Sequence, residues 1–271
     1  MSKKSSSKTN FLAQGTILVI ASFVAKAIGM IYRIPLTHIL GDDGNGYYST
    51  ANEIYTIILM ISSFSLPLAV SRLVAEREYA GEVKNSYRVL ICSLRFAAVT
   101  GGILSILTFL LGGVITKYVM GVELASYALR VLAPAIFLFA LTGVLRGFFQ
   151  GHGTMVPTAV SQIIEQIINA IVSVAGAYVM LQYGLKLGEK KGDAELGTAL
   201  AAAGGTFGTV ASVGVALLFM IVIYLGYRNG FKRRMKKDKT RRRESDRAIY
   251  RAITYTILPI VLSTLVYNIS T

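Results

Sequence analysis

Two basic side chains stand where an apolar segment long enough to cross a membrane would normally hold none. Lys26 lies about 15 residues into the run that starts at Phe11, and Arg33 follows seven residues later. Seven residues is almost two helical turns, so both cations belong to one side of a helix, with Gly29 and Met30 between them. Ionisable groups at bilayer depth are expensive and point to function by default. A cationic stripe of this kind should face a watery interior. There it can offer an anion charge-assisted hydrogen bonds, about twice as strong as neutral ones. For Arg33 the plainer alternative is snorkelling to the outer interface.

A second stripe lies further along. Gln162, Glu165, Gln166 and Asn169 follow the i, i+3, i+4, i+7 pattern of one helix face. Within a spanning helix that face must meet either a cavity or polar groups on neighbouring helices. Bonds of the latter kind contribute roughly 0.6 kcal/mol each. Glu53, in the outer part of the second apolar run, is placed to pair with Lys26 or Arg33, and pairing lowers the cost of burying either charge. Arg95, in the inner part of the third run, is expected to snorkel to headgroups.

Other chemistries find little support. The sequence holds no DxD, HExxH, nucleophile elbow or phosphate loop, so it is not read as an enzyme. His38 and His152 are far apart in sequence, and each reads as a loop or interface residue. Cys92 is the single cysteine, which excludes a disulfide within the chain, and no metal-ligand cluster is present. No cofactor is expected. The net charge of +14 would suggest nucleic acid in a soluble protein, but the excess lies between hydrophobic runs and reads as a membrane-orientation signal.

These residues need apolar helices to carry them. The chain has 271 residues, 54% of them hydrophobic and 15% charged, and a soluble domain of this size could not hide that much apolar surface. The apolar runs are about 20 residues or longer, as a spanning helix requires. They cover residues 11–34 (or on to 40), 48–70, 89–114, 126–149, 157–183 and 196–225, and a seventh begins near 249. Residues 41–46 and 150–154 read as turns, 72–88 as a charged connection, 116–125 as a short link and 186–195 as a mixed-charge loop. In the sixth run, Gly204 and Gly208 form a small-xxx-small pair suited to close packing in lipid. Pro35, Pro67, Pro134 and Pro259 sit in or beside apolar runs and should bend them.

The expected organisation is a polar tail over residues 1–10, a six-helix lobe over 11–226, a basic linker over 227–248 and the start of a seventh helix over 249–271. The basic residues Lys3, Lys4, Lys8, Arg72, Arg77, Lys84, Arg88, Arg146 and those between 228 and 247 all fall on one side if six helices alternate. The N-terminus is therefore expected in the cytoplasm. The block from 228 to 247 should be partly disordered or a surface helix on anionic lipid.

Specific strings add a resemblance. Residues 25–36, AKAIGMIYRIPL, resemble the first helix of the multidrug/oligosaccharidyl-lipid/polysaccharide (MOP) exporter superfamily, and residues 40–48, LGDDGNGYY, look like its first outer turn. Residues 145–166, LRGFFQGHGTMVPTAVSQIIEQ, resemble the polysaccharide-biosynthesis branch with stage V sporulation protein B-like proteins and lipid II flippases. The resemblance implies an all-α polytopic transmembrane bundle, one lobe of a two-lobe transporter with a V-shaped cavity and alternating access, in a bacterial plasma membrane. It implies an undecaprenyl-pyrophosphate-linked sugar as substrate and an ion gradient, H+ or Na+, or the membrane potential as driving force. It assigns pyrophosphate contact to Lys26 and, where Tyr32 takes the more usual basic position, to Arg33. Arg72 falls where the family tends to place an arginine at the inner end of the second helix. The chain stops inside its seventh run, so the second lobe is expected on a longer protein or another chain. The other readings are a cation-coupled multidrug exporter of the same superfamily and a non-transporting assembly protein.

Overall fold

The computed structural model describes residues 2–192, 195–240 and 243–269, and every element among them is helical. Asp193, Arg241, Arg242 and Thr271 lie outside the described residues, as do the side chains of Lys3, Lys4 and Lys8. The elements are α1 (Ser2–Ser62), α2 (Leu66–Tyr79), α3 (Val83–Val114) with a π-helical turn (Ile115–Val119), α4 (Ala125–Gly151), α5 (Val156–Lys191), α6 (Leu196–Lys237) and α7 (Asp246–Ile269).

At 61 residues α1 would be about 90 Å long if straight, roughly three times the hydrocarbon thickness. It is not straight. Gly41 alone leaves helical geometry, with φ 65° and ψ −172°, a conformation that glycine adopts without a Cβ penalty. The two arms fold back there, since Leu36 on one and Tyr48 on the other both lie against Gly205 of α6. The expected six-residue turn is thus one residue, and Asn45 Nδ2 donates to the carbonyls of Thr37 (3.1 Å) and Gly41 (2.8 Å) that the break leaves open.

Five continuous stretches are long and apolar enough to cross a membrane: Gln14–Tyr79, Val83–Val119, Ala125–Gly151, Val156–Lys191 and Leu196–Lys237. Divided at Gly41, the first supplies two crossings. Six crossings and a further helix α7 result, as the apolar runs require.

The helices outlast the apolar runs at several ends. α2 continues through Arg72 to Tyr79, α5 through residues 186–191 and α6 twelve residues past Leu225 to Lys237. The connections expected at 72–88 and 186–195 are therefore mostly helix, and the basic block is helical up to 237. Hydropathy marks where the solvent changes. The hydrogen-bond ladder has no reason to stop at that plane. α5 ends instead at Gly192, whose left-handed φ of 71° lets its N–H cap the carbonyl of Gly188.

Packing relies on backbone approach. α5 and α6 run antiparallel with Ser173, Gly176 and Gly184 opposite Gly208, Gly204 and Gly197. A Cβ on Gly204 would stand 2.2 Å from the Gly176 carbonyl oxygen, and one on Gly208 would stand 2.5 Å from the Ser173 nitrogen. α4 meets α2 the same way. A Cβ on Gly147 would lie 2.5 Å from the Pro67 carbonyl oxygen, and one on Gly151 would lie 2.6 Å from the Val74 Cβ. Around these seams sit two apolar clusters. One, at the end holding the basic residues, joins α2, α3, α4, α6 and α7 through Leu66, Val89, Phe148, Met220 and Ile253. The other, at the Gly41 end, joins both arms of α1 to α4 and α6 through Leu36, Leu40, Tyr55, Leu132 and Ala201.

Gly204→Ala is expected to destabilise the bundle by about 1–3 kcal/mol, the range for overpacking. Gly226→Ala on the same helix, with open space around it, should be neutral or slightly stabilising. Thermal unfolding in detergent compares the two, and equal midpoints would refute backbone contact at the α5–α6 seam.

Candidate functional site

The N-terminal arm of α1 lies beside α5 in parallel register, held by a ladder of polar bonds. Gln14 Oε1 accepts from the Met155 N–H at 3.0 Å, Ser22 Oγ donates to Gln162 Oε1 at 3.2 Å, and Asn169 Nδ2 donates to the Tyr32 hydroxyl at 3.0 Å. Asn169 Oδ1 in turn accepts from Ser173 Oγ at 2.9 Å, and Gln166 Oε1 rests against Gly29. Gln162 and Asn169 thus hydrogen-bond across to the first arm, and Gln166 lies against it.

Glu165 turns to another neighbour. Its Oε2 receives Arg146 Nη2 at 2.7 Å, and Arg146 Nε donates to Ser161 Oγ at 2.9 Å. Arg146 is 7% exposed, in the fully buried stretch 142–149 of α4. A charge so buried needs its partner, because an uncompensated one costs about 3–5 kcal/mol. Sequence reasoning placed Arg146 among the orientation signals and missed this role. No periodicity could reveal it, since the two groups sit on different helices 19 residues apart.

Lys26 and Arg33 are exposed on the flank of the α1–α5 seam, on one side of their arm, and neither forms an ion pair among the described residues. Glu53 is exposed on the second arm and pairs with neither, so the expected Glu53 bridge is not formed. Arg72 is exposed and bridges Glu76 one turn on at 3.1 Å. It edges a groove of about 630 Å³ between α2 and α7 that Tyr255, Thr256 and Pro259 close from the other side. The structure therefore keeps Lys26 and Arg33 on one exposed side of the first arm and leaves Glu53 and Arg72 elsewhere.

The basic end carries a charge network that the sequence did not reveal. Glu78 Oε1 lies 3.1 Å from His152 Nε2, and the carboxylate also pairs with Arg234 of α6. His152 Nδ1 lies 2.8 Å from the Phe148 carbonyl, and the ring packs between Phe148 and Phe231. Arg77 binds Glu244 at 2.9 Å, while Asp246 pairs with Arg88 and, at 3.5 Å, with Arg95. Arg95 is thus engaged by α7. The Lys84 N–H donates to Asp238 Oδ2 at 2.7 Å, and Lys84 Nζ to the Asp238 carbonyl at 2.8 Å. Slight burial raises the Asp238 pKa, but hydrogen bonds from Thr240 and Lys84 outweigh it and hold the carboxyl below its usual range. These contacts tie Asp238, Glu244 and Asp246 to α2 and α3, where the sequence pointed to a partly disordered stretch or a surface helix on anionic lipid.

Comparison with known proteins gives a consistent picture. The profile of the family described as "Polysaccharide biosynthesis protein" matches residues 11–261. Stage V sporulation protein B of Bacillus subtilis is 27% identical over 217 residues, 80% of this chain and 39% of that protein. Lipid II flippase MurJ of the same organism is 28% identical over 180 residues, 63% of this chain and 33% of that protein. Among solved structures, a MATE transporter in its straight conformation superposes with a TM-score of 0.73 at 21% identity, covering 95% of this chain and 53% of the other. A MOP superfamily transporter from Pyrococcus furiosus, described as having a binding pocket of reverse polarity, superposes with a TM-score of 0.68 at 20% identity, covering 92% and 52%. The chain spans well under half the length of these curated relatives and about half that of the structures.

Glu165→Ala is expected to destabilise the lobe by about 3–5 kcal/mol, because it strands Arg146 without a counter-charge. The double variant Arg146→Met with Glu165→Leu should recover most of that loss. Detergent melting curves of single and double variants make the check, and additive losses would show that the two side chains act independently.

Proposed function

This chain belongs to the polysaccharide biosynthesis protein family, and we propose that it forms one lobe of a transporter that flips undecaprenyl-pyrophosphate-linked sugars across a bacterial cell membrane by alternating access. It is a multi-pass membrane protein with the fold of a MOP superfamily transporter lobe. The substrate class, the direction and the residues that hold the substrate belong to the proposal.

One observation carries the reading. Lys26 and Arg33 share an exposed side of the first arm with no carboxylate paired to them, while Glu165, the acid nearest in the stripe, is neutralised by Arg146. What this face offers is therefore positive. A pyrophosphate cannot enter hydrocarbon unaided, and two cations in a site of low dielectric supply the charge-assisted bonds it would lose from water. The lipid tail stays in the bilayer while the head passes along the face. A cation-coupled drug exporter would want the opposite sign, and the neutralised Glu165 removes the acid best placed to provide it. Ion coupling, to H+ or Na+, is part of the proposal, with Glu53 as an acid that remains open on the second arm.

The orientation follows from charge. The end carrying Arg72, Arg77, Lys84, Arg88, Arg234 and Arg243 faces the cytoplasm, with the N-terminus on the same side, and Gly41 lies at the outer surface. In a Cys92→Ser background, an impermeant thiol reagent added outside should label the exposed position Asp43→Cys and leave Lys237→Cys untouched until the membrane is opened. The reverse pattern would invert the lobe.

In the complete gene product, Lys26→Ala and Lys26→Glu are expected to abolish rescue of a bacterium depleted of its lipid-linked-sugar flippase, and Lys26→Arg to retain part of it. Protein levels should stay near normal, because an exposed side chain contributes little to packing. Full rescue by well-expressed Lys26→Ala would remove the pyrophosphate role. Low protein level with recovery in the swapped pair Lys26→Glu with Glu53→Lys would assign Lys26 to stability instead.

A further inference from the structure

The basic end holds a pocket apart from the Lys26–Arg33 face. It occupies about 600 Å³ where the start of α3, the extension of α6 and the segment before α7 converge. Its walls carry Lys84 and Arg88 from α3, Lys232 and Lys236 from α6, and Arg243. Tyr87 and Met235 complete the lining with apolar surface.

The charges there are unbalanced. The nearby carboxylates have partners already: Asp238 the Lys84 and Thr240 N–H groups, Glu244 Arg77, Asp246 Arg88 and Arg95, and Glu82 the Asn85 amide. Among the described residues Lys84 Nζ donates to a carbonyl, that of Asp238. Lys232, Lys236 and Arg243 form no ion pair among the described residues. Lys232 and Lys236 stand at i, i+4, where like charges repel. The Arg88 Nε is buried and makes no hydrogen bond among the described residues. The ion pairs of Arg77, Arg88 and Arg234 fix the surrounding backbone, and from it the exposed Lys232, Lys236 and Arg243 line one pocket.

We propose that this pocket is a discrete binding site for a phosphate group, distinct from the face assigned to transport. A compact anion with several oxygens relieves the repulsion and engages ammonium and guanidinium donors converging from three segments. Tyr87 and Met235 give the same site an apolar shelf, which suits a phosphate attached to a lipid glycerol. Dissolved phosphate has the same anionic chemistry, and the test separates the two sources. The site differs from the diffuse attraction of a basic surface for anionic lipid, because it requires particular cations. It does not rest on the transport reading.

The test uses the whole chain in phosphatidylcholine nanodiscs doped with phosphatidylglycerol, extracted mildly and weighed by native mass spectrometry to read the retained lipid. Lys232→Gln/Lys236→Gln/Arg243→Gln should retain about tenfold less phosphatidylglycerol than the unmodified chain. Arg228→Gln/Arg233→Gln/Lys237→Gln removes as many charges from the same neighbourhood, outside the pocket, and should retain it normally. Lys236→Gln alone gives a milder loss of about threefold if the triple variant folds poorly. Displacement of the lipid by inorganic phosphate, or a raised melting temperature with phosphate in undoped discs, assigns the site to the free anion as well. Retention unaffected by phosphate assigns it to the headgroup. Equal losses in the two triple variants, or no preference for phosphatidylglycerol over phosphatidylcholine, would overturn the proposal.

Discussion

Between Gly176 on α5 and Gly204 on α6 there is no room for a methyl group. In lipid the hydrophobic effect does not drive helices together, so association depends on how closely their backbones can pack and on the polar bonds they exchange. The α5–α6 seam supplies the first and the α1–α5 ladder the second. The rest of the lobe is laid on this pair. Both arms of α1 reach α6 at Gly205, α4 is tied to α5 through Arg146 and Glu165, and α2 is drawn onto α4 at Gly147 and Gly151. Larger residues at any of these seams would push apart the helices on which the first arm, with Lys26 and Arg33, is laid.

The charged groups divide into two sets by what they bind. Arg146, Glu165, Glu78, His152, Arg77 and Asp246 are consumed within the lobe, where they replace lost water with a partner. Lys26 and Arg33 are left open on the first arm. A positive face persists here because Glu165 on the neighbouring helix α5 is occupied by Arg146. The internal ion pairs thus shape the electrostatics of the exposed side without touching it.

Much of this was legible in the sequence, and the omissions have physical causes. Apolar runs of membrane length gave the six crossings, and the i, i+3, i+4, i+7 pattern at 162–169 identified a polar face. The same pattern could not tell whether that face meets water or another helix, because both satisfy an amide equally well. Helix ends were misplaced at Tyr79, Lys191 and Lys237, since charged helical turns in water carry no hydropathy signal. The one-residue break at Gly41 looked like a six-residue turn because Asp42, Asp43, Asn45 and Gly46 are all turn formers. Arg146 was read as a boundary marker because its position at the end of an apolar run is where orientation signals accumulate. Its partner is revealed only by the way α4 and α5 fold against each other.

The reversal at Gly41 has a mechanical consequence. A loop of several residues would let two helices tilt independently, each taking up slack in the link. Here a single residue joins the arms, and its neighbours on both sides are already in helical hydrogen bonding. Only two soft torsions separate them. The hairpin behaves as a crank with one short pin. A shift of the first arm would thus reach the second through the Gly41 torsions alone, and α2 through the brief interruption at 63–65.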